Sequence, residues 1–175
     1  IAQRAGNRKG IFYKMRQSGC ILCQAVVSYK TYRIEICVQT HRREFFMTLE
    51  PGIRGEQSVP VTAENTAKTM GSGTLDVFAT PALVALAEKT CWMSVAPALA
   101  EGDGTVGTKL ELEHTAPTPV GMTVTCESEL VAVEGRKLTF KVSLHDEKGP
   151  VGGGTHERFV IHNDKFAAKA EAKKN

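Results

Sequence analysis

Residues 77–97, Val-Phe-Ala-Thr-Pro-Ala-Leu-Val-Ala-Leu-Ala-Glu-Lys-Thr-Cys-Trp-Met-Ser-Val-Ala-Pro, limit what the chain can fold into more than any other stretch. Thr80 has the side chain of an N-cap, Pro81 suits the first helical position, and Pro97 cannot continue a helix. The segment therefore predicts one helix with written ends. Only Glu88 and Lys89 are charged within it, and Leu83, Val84, Leu86, Cys91, Trp92, Met93 and Val95 spread apolar surface over every face, the pattern of a buried helix. At ~1.5 Å per residue it spans roughly 24 Å, which is short for a bilayer crossing, so the expected wrapping is protein. Lys89 can reach solvent along its stem, whereas Glu88 lies two turns in, where an unpaired carboxylate among apolar side chains is costly. That cost marks Glu88 as a candidate functional residue.

The chain has 175 residues, 42% hydrophobic and 23% charged, which suits one domain with a substantial core. Its net charge of +3 conceals an asymmetry. Residues 1–46 carry nine Lys and Arg against two Asp and Glu, a net of +7, while the rest carry 13 against 17, a net of −4. The same end holds Tyr13, Tyr29 and Tyr32 and three of the five cysteines, Cys20, Cys23 and Cys37. Its apolar patches show neither helical nor strand period, and no apolar run fits a signal peptide. Cys20-x-x-Cys23 has no second pair at metal-ligand spacing, which argues against a metal or redox site. We expect residues 1–46 to be a basic extension outside the functional domain, and residues 47–175, from Met47, to be that domain. Positive charge alone is a weak signal for a nucleic-acid or membrane partner, and neither is assigned.

Beyond Met47 the pattern becomes regular. Residues 55–62 read as an edge strand that tolerates Pro60, and residues 63–76, with Asn65, Gly71, Ser72 and Gly73, read as a loop leading to the helix. After a turn at residues 101–104, alternation places Val106, Thr108, Leu110, Leu112 and His114 on the inner face, with Lys109, Glu111 and Glu113 outside. A second strand sets Met122, Val124, Cys126, Ser128 and Leu130 inward. Glu134-Gly135 turns into a third, with Leu138, Phe140, Val142 and Leu144 inward. A last strand covers residues 152–161, and the Ala/Lys-rich tail from Phe166 is expected to fray. One strand, one long helix and four strands at hairpin spacing describe an α+β chain with the hot-dog fold, a curved five-stranded antiparallel sheet wrapped around one central helix. Its unpaired edge makes a homodimer the natural assembly.

Several ordered motifs point the same way: Val-Phe-Ala-Thr-Pro at 77–81, Glu88 eight positions after Thr80, Thr-Val-Gly-Thr at 105–108, His-Thr-Ala-Pro-Thr-Pro-Val-Gly at 114–121, Val-Glu-Gly-Arg-Lys-Leu at 133–138 and Gly-Thr-His-Glu-Arg-Phe-Val-Ile-His at 154–162. Together, over residues 52–165, they resemble the fluoroacetyl-CoA thioesterase family of the hot-dog thioesterase superfamily. The resemblance implies a dimeric hot-dog enzyme that hydrolyses a small-to-medium acyl-CoA at a site near the dimer interface. It implies Thr80, Glu88 and His114 as the catalytic group, Gly107 near the reacting carbonyl and Arg158 as a substrate-binding residue. CoA is then part of the substrate, and no cofactor is expected. The specialised fluoroacetate-detoxifying enzyme has an aromatic-bearing lid before its catalytic threonine. Residues 65–76 here contain no aromatic residue, so the resemblance extends to thioester hydrolysis and not to selectivity for a fluorinated acyl group.

Each site residue also has a structural reading: Thr80 as a helix cap, Glu88 as a carboxylate satisfied by a neighbouring donor, His114 as a hydrogen-bonded core histidine. His156, in the last strand, reads as structural; His145 lies near a turn and His162 ends a strand. No close His/Cys/Asp pair has zinc-ligand spacing on one face, so no metal is expected. Cys91 and Cys126 read as small buried hydrophobes in a reduced, cytoplasmic protein. Whether Glu88 acts as a base or as a nucleophile stays open. So do two other functions, a hot-dog protein that binds a CoA thioester without hydrolysing it or hydrates it, and an interaction module acting through the basic amino-terminal segment.

Overall fold

The computed structural model describes residues 23–29, 32–38 and 48–174, and the chain forms two compact units, Ile1–Phe45 and Phe46–Asn175. In the first, strands β1 (Cys23–Tyr29) and β2 (Tyr32–Val38) pair as an antiparallel hairpin, from Cys23 opposite Val38 to Tyr29 opposite Tyr32. This corrects the expectation of no regular structure there. Both runs are rich in β-branched and aromatic residues, and the second alternates Tyr32, Ile34, Ile36 and Val38 with Arg33, Glu35 and Cys37, a strand period that a reading of short, broken apolar patches overlooks. Cys20 and Met47 lie outside the described residues.

The second unit begins with strand β3 (Arg54–Pro60), followed by a 3-10 turn at Ala63–Asn65 that closes on a capping box between Thr62 and Asn65. Helix α1 (Thr80–Val95) comes next, then β4 (Asp103–His114), β5 (Thr123–Glu134), β6 (Lys137–Asp146) and β7 (Gly149–His162). These five strands form one antiparallel sheet in the order β3-β5-β6-β7-β4, so β3 and β4 are its edges. A curved five-stranded sheet against one long helix is the hot-dog fold expected from the pattern.

Helix α1 buries one stripe, Leu83, Leu86, Ala87, Thr90, Cys91 and Val95, whose three- and four-residue spacing is that of one helical face. Against it lie Val124, Cys126 and Leu130 of β5, Leu138, Phe140, Val142 and Leu144 of β6 and Val151 of β7, all buried. Each such side chain contributes on the order of 1.5–3 kcal/mol by leaving water. The inward faces of β5 and β6 are those the alternation predicted. The helix itself is not buried all round within one chain: Trp92 is 44% exposed and Met93 37% exposed. Apolar residues on every face therefore do not mean burial on every face: the sheet covers one stripe and leaves Trp92 and Met93 exposed.

Two further expectations change. Strand β4 carries a bulge where its pairing with β7 shifts between Gly107 and Lys109. One extra residue reverses the facing of all that precedes it, so Thr105 and Gly107 share the inward side with Leu110, Leu112 and His114, and Val106 and Thr108 do not. The tail does not fray but forms helix α2 (Asn163–Glu171). Its Ala and Lys residues favour helix, and Asp164 in the first turn and Lys169 in the last complement the helix dipole.

Edge strand β3 reaches α1 through Gly55, where a Cβ would lie 2.6 Å from Ser94 Cβ and 3.1 Å from the Thr90 carbonyl oxygen. Gly55→Val should therefore destabilise the protein by about 1–3 kcal/mol despite valine's preference for strands. Urea unfolding of the full chain reads this directly, and an unchanged or raised midpoint would contradict the close packing of β3 on the helix.

Candidate active site

The residues singled out by the sequence gather at two places along α1. At its first turn, Thr80 is a helical residue and not the cap: Ala79 occupies the N-cap position with extended backbone and no side-chain capping bond. Pro81 lacks an N–H, so the first turn has one fewer donor to satisfy. The Thr80 hydroxyl is directed instead to the end of β4, where Oγ1 lies 2.9 Å from His114 Nδ1. Nε2 of the same ring is buried and has no hydrogen-bond partner among the described residues. Burial pushes the His114 imidazole below the ordinary histidine range, with the Ala116 backbone acting in the opposite direction, so the ring is neutral at neutral pH.

Two turns further on, roughly 12 Å along the axis, Glu88 faces β4 and β7. It does not sit in an apolar wall. Its side chain is 45% exposed, and Oε1 lies 3.7 Å from His156 Nε2 and 3.9 Å from Arg158 Nη1. Gly107 makes this approach possible, because a Cβ there would stand 2.5 Å from Glu88 Oε1 and 3.1 Å from His156 Cε1. The bulge turns Gly107 inward, and β7 sets it opposite Arg158. The structure thus brings together Thr80 with His114, and Glu88 with Gly107 and Arg158. Among the described residues no hydrogen bond joins the two groups.

His156, which reads as structural in the sequence, stands inside the second group. A usable signal was present: His156 and Arg158 are two apart on one strand, so both point to the same face. The two buried cysteines are unsuited to attack, since burial foremost pushes the Cys91 thiol up to about 12 and the Cys126 thiol up to about 11. Among the described residues no group of three His, Cys, Asp or Glu side chains is close enough to hold a metal ion, and no helix is long and apolar enough to cross a membrane. A surface concavity of about 640 Å³ over Glu111–Glu113 and Gly152–Gly154 is lined by none of Thr80, Glu88, Gly107, His114, His156 and Arg158. It is not the site.

The family model for the fluoroacetyl-CoA-specific thioesterase (FlK) matches residues 61–164, a span that contains both groups. The chain belongs to this family. The fluoroacetyl-CoA thioesterase of Streptantibioticus cattleyicolor is 50% identical over 98 residues, which cover 56% of this chain and 70% of that protein. The solved structure of the fluoroacetyl-CoA thioesterase FlK superposes with a TM-score of 0.69 at 40% identity, over 73% of this chain and 98% of that one. A threonine-to-serine mutant of FlK in complex with acetyl-CoA superposes with the same TM-score of 0.69 at 39% identity, over 73% of this chain and all of that one. The protein is a thioester hydrolase of the hot-dog superfamily.

Burial also ties the site's histidines to stability. His114 and His156 are both pushed below the ordinary value of 6.5, in each case chiefly by burial. Between that value and their folded-state values the unfolded chain binds more protons than the folded one, so stability is full above about pH 6.5 and declines as pH falls through it. The thermal midpoint should drop between about pH 7.5 and about pH 5, and His114→Asn should flatten the drop. A slope that His114→Asn leaves unchanged would contradict the neutral, buried state of this ring.

Proposed function

We propose that the protein hydrolyses a small-to-medium acyl-CoA to the free acid and CoA, with Glu88, His114 and Thr80 as the reacting group and Gly107 and Arg158 at the acyl carbonyl. The observation that carries this reading is the half-exposed carboxylate of Glu88, held beside Arg158 where Gly107 removes the obstructing Cβ. A thioester carbonyl is electrophilic, so the enzyme needs an oxygen attacker and donors for the oxyanion that forms. Glu88 supplies the first, either by attacking the acyl carbon or by deprotonating a water that does. The Thr80–His114 pair at the helix start supplies a polar anchor. Its neutral imidazole can polarise the thioester or hand a proton to the departing thiolate. CoA enters as part of the substrate, and the reading assigns no cofactor.

This assignment separates itself from mere CoA-thioester binding by its mutants. Glu88→Gln and His114→Ala should each lower hydrolysis by roughly a hundredfold or more, while Thr80→Ser keeps more activity than Thr80→Ala. The assay is a screen of short, medium, branched and aromatic acyl-CoAs, followed by the variants on the best substrate. Folded Glu88→Gln and His114→Ala proteins working at the parent rate would refute it.

The same reading assigns the chemistry to residues 47–175, acting as a homodimer with the site near the interface. Supporting this are the division of the chain near that point and an exposed Trp92 and Met93 on the helix that carries Glu88. Edge strand β4, which lines the site, is the other surface available to a second copy. The fragment 47–175 should run as a dimer by light scattering at micromolar concentration and hydrolyse the same substrate as the full chain. A fragment that folds but is inactive, or an active monomer, would overturn this part.

A further inference from the structure

His156 is 1% exposed, and its two ring nitrogens have different obligations. Nδ1 lies 2.9 Å from the Lys109 carbonyl oxygen, which can only accept, so Nδ1 carries a hydrogen. Nε2 lies 2.9 Å from Arg158 Nη1, which can only donate, so Nε2 presents its lone pair. Only the neutral Nδ1–H tautomer satisfies both. The approach of His156 Nε2 to Glu88 Oε1 at 3.7 Å is therefore not an ion pair, and the positive charge facing Glu88 belongs to Arg158.

Arg158 is itself 5% exposed and held at all three nitrogens. Nε donates to Thr105 Oγ1 at 2.9 Å, Nη2 to the Thr105 carbonyl at 2.8 Å and Nη1 to His156. Thr105 fixes one side of the guanidinium and His156 the other. Of five N–H bonds these use three and leave two, one on Nη2 and one on Nη1, the nitrogen that approaches Glu88. Without its His156 contact the guanidinium keeps its two bonds to Thr105 but loses the one at Nη1, the nitrogen that faces the carboxylate, and leaves that donor unpaired in a nearly buried place. The Lys109 carbonyl that sets the tautomer lies at the bulge, so the irregularity in β4 serves both Gly107 and His156.

We propose that His156 is a positioning residue for the hydrolysis: as a neutral acceptor locked by the Lys109 carbonyl, it holds the Arg158 guanidinium facing Glu88 and so orients the carboxylate toward the acyl carbon. This rests on the reading that Glu88 carries the reaction. The mechanism needs a donor and an acceptor at position 156, not a titrating ring. Glutamine offers both, an N–H for Lys109 and an oxygen for Arg158, whereas leucine fills similar space and offers neither.

The test uses the full chain. His156→Leu should lower kcat roughly ten- to a hundredfold with KM little changed, the effect of a misplaced rather than absent reacting group. His156→Gln should recover most of the loss. In an Arg158→Lys background His156→Leu should cost little more, because the effect runs through the guanidinium. Nitrogen-15 NMR of the unmodified protein at neutral pH should show His156 with Nδ1 protonated and Nε2 not. A folded His156→Leu enzyme at the parent rate, equal losses in the Leu and Gln variants, or a cationic or Nε2–H ring at neutral pH would each overturn the proposal. Should the Leu variant not fold, the Gln variant and the NMR tautomer decide. Glu88→Gln at the parent rate would instead sink the function on which this rests, leaving the tautomer result standing.

Discussion

The packing of α1 against the concave face of the sheet determines the rest of this structure. The buried stripe from Leu83 to Val95 fixes the helix's rotation about its own axis. Thr80 continues the line of that stripe at the first turn and reaches the end of β4, while Glu88 flanks the stripe and faces β4 and β7. Because one rigid element carries both, their separation is set by helical rise and is indifferent to loop motion. On the proposed function, a thioester laid along the rim where the helix meets β4 and β7 would meet a hydroxyl–imidazole pair at one end and a carboxylate–guanidinium pair at the other.

Keeping a guanidinium nearly buried at this rim is costly unless its donors are satisfied. The solution combines three anchors on Arg158 with a carboxylate that stays half exposed. The bulge in β4 underlies this economy of space. By slipping the register it turns a glycine toward Glu88, Thr105 toward Arg158 and a backbone carbonyl toward His156. A regular strand would keep Thr105 and Gly107 together but on the face opposite to Leu110, Leu112 and His114. Such irregularities are common beside functional sites for this reason.

How far the sequence discloses this can be judged residue by residue. The inward faces of β5 and β6 are legible because Val124 to Leu130 and Leu138 to Leu144 alternate strongly with polar neighbours. The bulge is not, since Thr-Val-Gly-Thr has too little contrast in polarity to show where the phase slips. Thr80 reads as a cap because local chemistry favours that role, and its actual partner is 34 residues away. Glu88 reads as enclosed because the helix is apolar around it, yet the facing strands bring a cation that no local pattern announces. His156 was the residue passed over. Its importance comes from an arginine whose own orientation depends on the fold. Trp92 and Met93 show the limit of composition, which reports that a surface is apolar and not which neighbour covers it.

The two edges of the sheet are unequal. Strand β3 is short, bears Arg54 and Glu56, and ends on Pro60, which has no N–H to offer a neighbour; β4 is nearly twice as long. A strip of sheet with two receptive sides could go on adding copies of itself. In the proposed dimer, joining like to like along β4 would consume the one receptive side, so the outline of the sheet would itself limit how many copies associate through their strands.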